Sequence, residues 1–151
     1  MLQKIKKRNQ GFTIIEVLIV LAIAGLIMLI VFLAVPALQR NARNTQRKQD
    51  VANTLSAVNE WTNNNQGVIP QSGTDLTSAL KNVKLGYYTS SNITWGSGTV
   101  SNTTDAEHVE VVSGATCASN NDDSVAGSPR QVVALYTVET GGGTDHICQG
   151  S

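Results

Sequence analysis

One acidic residue, Glu16, stands out in this sequence because a long uncharged run comes directly after it. The run consists of 22 residues, 17–38, none of which is charged. At about 1.5 Å per residue, a helix over this run is roughly 33 Å long, enough to cross the core of a bilayer. A carboxylate in such a span costs on the order of 2.5 kcal/mol or more unless it has a partner. We therefore expect Glu16 to have a specific partner.

A cut between Gly11 and Phe12 would create that partner. It would leave Phe12 with a free α-amine at the edge of the apolar run, four residues before Glu16. Within one helix the two groups pair imperfectly because they lie one turn apart. In a stack of helices, Glu16 of one subunit could meet the Phe12 amine of the next. Such a buried pair adds little net stability but strongly penalises wrong registers.

The segment Lys4–Glu16, KIKKRNQGFTIIE, resembles the class III signal peptide of type IV prepilins. It combines a basic leader, a Gly-Phe junction and a Glu four residues later, followed by the uncharged span. The resemblance implies that a prepilin peptidase cuts after Gly11 and N-methylates Phe12, and that Glu16 is the assembly glutamate. It also implies a homopolymeric filament, built by a separate ATPase and a membrane platform.

Three other interpretations compete for the apolar run. An ordinary secretory signal cut near Val35-Pro36-Ala37 would have a core of about 7 to 15 residues and no acid. A generic single-span anchor accounts for the length but not for Glu16 or the Gly-Phe junction. A buried soluble helix conflicts with an apolar surface on all sides.

The 151 residues leave room for one domain beside the anchor. We expect a leader at 1–11, a transmembrane and polymerisation half of a long helix at 12–38, and a globular head at 39–151. The prepilin resemblance places the N-terminus in the cytoplasm and the head outside, first in the membrane and then on the cell-surface filament. Residues 51–151 hold three Lys or Arg against nine acids, so this head is not a nucleic-acid-binding surface by bulk charge.

The predicted fold is α+β and resembles the pilin fold: a long N-terminal helix packed against a small antiparallel sheet of three or four strands. The helix runs from Phe12 to about Asn63, and a short capped helix begins near Thr74 and ends near Gly86. Strands are predicted at 93–100, 108–112, 131–139 and 144–148. The residues expected on the helix face that packs against the head are Leu38, Ala42, Thr45, Ala52, Leu55 and Val58, with Val51 and Trp61 beside them.

Gly25 and Pro36 are the two helix-disfavouring residues in the long helix. The resemblance implies a stretch between a Gly and a Pro that loses helicity in the filament. Gly25 matches that Gly, whereas Pro36 lies about one turn later than the usual Pro. The alternative is a simple kink at Pro36.

Cys117 and Cys148 are an even set, which in an exported domain predicts one disulfide. In type IV pilins, a disulfide near the C-terminus bounds a variable surface loop, and this pair is similar. Major pseudopilins usually lack it and bind calcium. The polar loop 119–124 offers oxygen ligands without a recognisable calcium spacing, so no metal or cofactor is expected.

Catalysis finds no support in the sequence. His108 and His146 are the only histidines, and no phosphate-binding loop, Cys-x-x-Cys or nucleophile elbow is present. We expect a structural subunit of a type IV pilus and not an enzyme. The alternatives are a pseudopilin or minor pilin of a secretion or competence system, and a membrane-anchored surface binding module that never polymerises.

Three arginines recur at helical spacing just beyond the span: Arg40, Arg43 and Arg47. One hypothesis is that this stripe faces the acidic head surface of a neighbouring subunit, around Asp105, Glu107 and Glu110. The other is that the arginines hold the helix at the lipid headgroups.

Overall fold

The computed structural model describes residues 11–102 and 104–151. The chain divides into two compact units, one reaching to Leu38 and the other comprising Gln39–Ser151. One α-helix, α1 (Ile14–Asn64), contributes to both. It ends where Gln66 and Gly67 adopt left-handed backbone conformations, with φ of 60° and 82°. The expected long helix is therefore present, with an end within one residue of the predicted one.

The second unit adds a short helix and a four-stranded sheet. Helix α2 (Gly73–Ala79) is capped by Ser72, whose side chain accepts from the Asp75 N–H, and a single 3₁₀ turn (Leu80–Asn82) continues it. The sheet has the order β1-β2-β5-β6. Its strands are β1 (Ile93–Ser97), β2 (Val109–Ser113), β5 (Val132–Glu139) and β6 (Thr144–Gly150). A separate two-stranded ribbon is formed by β3 (Ala115–Cys117) and β4 (Ser124–Ala126).

The α+β, pilin-like architecture is confirmed: a long N-terminal helix and a small, mainly antiparallel sheet. One pairing differs from the expectation. β2–β5 and β5–β6 are antiparallel, but β1 pairs with β2 in parallel, with Ile93 opposite Val109 and Ser97 opposite Ser113. The segment between Ser97 and Val109 returns the chain to the starting end of β1, so β2 runs in the same direction.

β5 is buried on both faces, which explains why its sequence lacks apolar-polar alternation. Side chains on one face join a core with α1, which contributes Val51, Leu55 and Val58. Those on the other face join a second core of Val112, Ala115, Val133, Leu135 and Cys148. The second core lies under the β3–β4 ribbon, where Cys117 and Cys148 form a disulfide with a Cα–Cα distance of 5.6 Å.

The buried face of α1 differs from the predicted one in its first half. The predicted residues Leu38, Ala42 and Thr45 are exposed. Two charged residues are buried instead, Arg47 and Asp50, ahead of Val51, Thr54, Leu55 and Val58. Charged side chains occupy this face because each has partners on the segments that pack against it.

Candidate functional site

The Gly11–Phe12 bond precedes the first turn of α1, and both residues are exposed. The Phe12 side chain is 88% exposed. A Cβ placed on Gly11 would meet no atom within 4 Å, and the backbone of Gly11 is not in the left-handed region. Among the described residues, no contact and no backbone conformation therefore requires glycine at position 11.

Glu16 is bound by Thr13, one turn earlier, in a capping box at the start of α1. The Thr13 N–H donates to Oε2 of Glu16 at 2.8 Å, and the Thr13 hydroxyl donates to the same oxygen at 2.7 Å. The Glu16 N–H in turn donates to the Thr13 hydroxyl at 3.4 Å. This reciprocal arrangement satisfies backbone donors that a helix start leaves unpaired. It also gives the carboxylate two local donors at the edge of an apolar run.

Thr13 is the residue at this site that the sequence analysis missed. Its signal was present, because Thr-x-x-Glu before an apolar run is the spacing of a capping box. The Thr13 bonds do not supply a positive charge, so they leave the predicted role of the Phe12 amine open.

The apolar run after Glu16 is uncovered along its length. No residue from 14 to 36 is buried, although most are large and hydrophobic. This helix is long and apolar enough to cross a membrane. It is continuous through Gly25 and Pro36, and a Cβ added at Gly25 would meet nothing within 4 Å. Exposed apolar surface of this extent requires lipid or neighbouring protein to cover it.

A family model described as the prokaryotic N-terminal methylation motif matches residues 6–32. This motif is the class III signal peptide, and the match supports a type IV pilin-like prepilin. No curated protein and no solved structure matches it. The basic residues of the leader, Lys4 to Arg8, lie outside the described residues, whereas Gly11, Phe12 and Glu16 lie within them.

In the second unit, the carboxylate of Glu139 at the end of β5 binds two arginines of α1. Nη2 of Arg47 lies 2.7 Å from Oε1 of Glu139, and Arg43 also contacts this carboxylate through two nitrogens. Arg47 donates to the Tyr87 hydroxyl at 2.5 Å, and its guanidinium carbon lies 4.3 Å from the centre of that ring. Hydrogen bonds from Arg43 and Arg47 lower the pKa of Glu139 to about 2.

This cluster gives two arginines of the stripe a partner within their own chain, and contact of the stripe with a neighbouring subunit stays a prediction. Arg43 and Arg47 bind Glu139 of their own chain. The proposed acidic partners are engaged differently: the His108 ring bonds to Asp105 at 2.6 Å, which lowers the pKa of Asp105, and burial raises the pKa of Glu110.

Asp50 is a second buried charge with defined partners. Its carboxylate accepts from the backbone N–H groups of Gly86, Tyr87 and Tyr88, at 2.8, 2.7 and 2.9 Å. These three successive donors form a concave nest around the anion. Asp50 thereby fixes the 86–88 segment against α1 and places Tyr87 beside Arg47.

The remaining residues considered in the sequence have structural contacts. His146 Nδ1 lies 3.4 Å from the hydroxyl of Thr137, on the strand next to its own. In the polar loop 119–124, the Asn121 carbonyl accepts from the Cys148 N–H at 2.6 Å, and the Asp123 side chain accepts from the Asn102 N–H at 2.7 Å. These bonds tie the loop to β6 at Cys148 and to the backbone at Asn102.

Proposed function

We propose that this chain is the structural subunit of a type IV pilus, which polymerises through its N-terminal helix into a cell-surface filament. The methylation motif supports a pilin- or pseudopilin-type protein. The observation that carries the proposal is the exposed apolar surface of residues 14–36, with Glu16 as its single charge. In a filament, the same surface of neighbouring subunits would cover it.

The proposed pathway begins with processing at the motif. A prepilin peptidase cuts the exposed Gly11–Phe12 bond and methylates the Phe12 amine, which removes a leader of residues 1–11. Residues 12–38 then hold the subunit in the cytoplasmic membrane with residues 39–151 outside, until an assembly platform and its ATPase extract it. Glu16 of one subunit pairs with the Phe12 amine of the next. Gly25 and Pro36 bracket a stretch that loses helicity on assembly.

The disulfide between Cys117 and Cys148 supports a pilin over a major pseudopilin, because it bounds a C-terminal loop as in pilins. The motif's family is structural, which supports a role without catalysis. A surface module that never polymerises would need an anchor but not Glu16, so the position of this acid favours the filament.

The test is electron microscopy of filaments sheared from cells that express the chain, with intact mass spectrometry of their subunit. We expect thin filaments whose main protein begins at methylated Phe12 and contains no free thiol. The protein found only in membranes, with no filament, would contradict the pilus. A short filament seen only with a secretion system would assign it as a pseudopilin.

Processing can be tested separately with two glycines that both lie in open space. Gly11→Val should leave the prepilin folded but uncut, because only the peptidase is expected to require glycine there. Gly25→Ala is the matched control and should be cut normally. Normal cleavage of the Gly11→Val prepilin would contradict the proposed site.

A further inference from the structure

A cleft of about 220 Å³ lies between the end of α1 and the α2 segment of the second unit. On α1 it is lined by Ala57, Glu60, Trp61 and Asn64, which share one helix face at spacings of three and four residues. The opposite wall includes Ser78, Ala79 and Asn82. We refer to this feature as the Trp61 cleft.

The cleft exists because small residues face each other across the two helical segments. Ala57 and Ala79 are partly buried against the main core, so they form an apolar floor. Larger side chains at either position would fill the space. A cleft of this size is below the range of about 300–1,000 Å³ that holds drug-sized ligands, so it suits one or two small rings.

Trp61 differs from the other tryptophan in how its ring is held. The indole N–H of Trp95 donates to the Pro70 carbonyl and to the Ser113 hydroxyl, at 3.3 and 3.2 Å. The Trp61 indole N–H has no hydrogen bond among the described residues, and the half-buried residue lines the cleft. A second hollow, lined by Asn65, Gln66 and Val68, borders Trp61 as well. An amphipathic ring presented in this way is suited to a ligand with an apolar face and nearby polar groups.

The polar rim of the cleft is not used within the fold. The side chains of Glu60, Asn64 and Asn82 make no hydrogen bond to any described residue, yet all three border the same space. They offer carboxylate acceptors and amide groups that both donate and accept. Glu60 is the one charged residue in the lining, so the cleft has no cation to attract phosphate, sulfate or carboxylate.

We infer that the Trp61 cleft binds a neutral pyranose sugar. One face of such a ring presents C–H groups that can pack on the Trp61 indole, while its hydroxyls can bond to Glu60, Asn64 and Asn82. The inference goes beyond the proposed function and does not depend on polymerisation. The alternative occupant is a neighbouring subunit, and binding measurements on unassembled protein separate the two.

The test is saturation-transfer NMR on the full-length protein in lauryldimethylamine oxide, a detergent without a sugar headgroup. The probes are the methyl glycosides of β-galactose, α-mannose and β-N-acetylglucosamine, with the acyclic polyol ribitol as control. We expect saturation of the ring C–H protons of at least one glycoside and none of ribitol. No transfer to any of these glycosides would overturn the inference.

Variants then locate the binding. Trp61→Ala and Ala79→Leu should each weaken the responding glycoside roughly tenfold or more, because one removes the stacking surface and the other fills the cleft. Trp95→Phe is the matched control and should bind normally. If a cleft variant misfolds by circular dichroism, Asn64→Ala with Asn82→Ala replaces it. Undiminished binding in all folded cleft variants would overturn the site. If the parent protein binds no glycoside but the cleft variants lose filaments, the inference is also overturned, and the occupant is a neighbouring subunit.

Discussion

Arg43 and Arg47 share one acceptor, Glu139, but from different environments: the Arg47 side chain is 1% exposed and that of Arg43 is 40% exposed. Both lie on the same side of α1, one turn apart. The difference in burial sets how much each charge depends on the shared carboxylate. A buried charge that loses its partner is costly, whereas an exposed one is solvated again by water.

Glu139→Gln should therefore lower the free energy of unfolding by about 3 kcal/mol, because buried Arg47 is left without a counter-charge. Arg43→Gln is the matched control and should cost less than about 1 kcal/mol. Urea unfolding of the full-length protein in detergent, followed by tryptophan fluorescence, measures both. Equal losses in the two variants would contradict the difference in burial.

The same cluster predicts a dependence of stability on acid. A Glu in the unfolded chain titrates near pH 4.3, and the pKa of Glu139 in the folded protein is about 2. Its contribution is therefore complete above about pH 4.3 and is lost as the pH falls towards 2. Thermal unfolding at a series of pH values should show a smaller decline for Glu139→Gln than for the parent in this window. An equal decline in stability for Glu139→Gln and for the parent would show that Glu139 does not titrate as its contacts require.

Replacing buried Asp50 should lower the stability of the protein more than replacing an exposed aspartate. Asp50→Asn keeps one oxygen but turns an NH₂ group toward backbone donors, so at least one charge-assisted hydrogen bond is lost, at about 1.5–3 kcal/mol. Asp122→Asn, on an exposed loop, should change stability by less than about 0.5 kcal/mol. Both are measured by urea unfolding. An unaltered midpoint for Asp50→Asn would contradict its place in the backbone nest.

The disulfide closes a loop with a sequence separation of 31 residues. By the chain-entropy relation, replacing Cys117 and Cys148 together with Ser should cost about 3 to 4 kcal/mol. The loss of stability should be largest in the second core, to which Cys148 belongs. Amide hydrogen exchange should therefore increase most in the β3–β4 ribbon that covers this core. Uniform exchange changes across the sheet would instead point to a global effect.

The sequence predicted those elements that depend mainly on neighbouring residues, such as β5 and the end of α1. β5 was expected at 131–139 and occupies Val132–Glu139, because its β-branched residues indicate a strand wherever it packs. The end of α1 was readable from the polar run that precedes Gly67. The parallel direction of β1 and the three-residue strands β3 and β4 were not predicted, since pairing between distant segments determines them.

The buried charges of α1 could not be found from the sequence for a related reason. Arg47 and Asp50 look like surface residues until their partners are known, and these lie 92 and 36–38 residues away. At the start of α1 the situation is reversed. Gly11, Phe12 and Glu16 are close in sequence, so their spacing alone singles them out, and the missed Thr13 could have been found from the Thr-x-x-Glu spacing.

The final prediction separates the two roles of Glu16, helix capping and charge. Glu16→Gln keeps an oxygen that can accept from Thr13, as Gln does in capping boxes, but it has no charge for a Phe12 amine. Glu16→Val lacks both. Each variant should insert in the membrane and be cut after Gly11, because a costly carboxylate is removed. Filaments, counted by electron microscopy of sheared surface material, should be rare in both. If Gln assembles normally and Val does not, the capping bond to Thr13 matters for assembly and the proposed pairing with Phe12 is wrong.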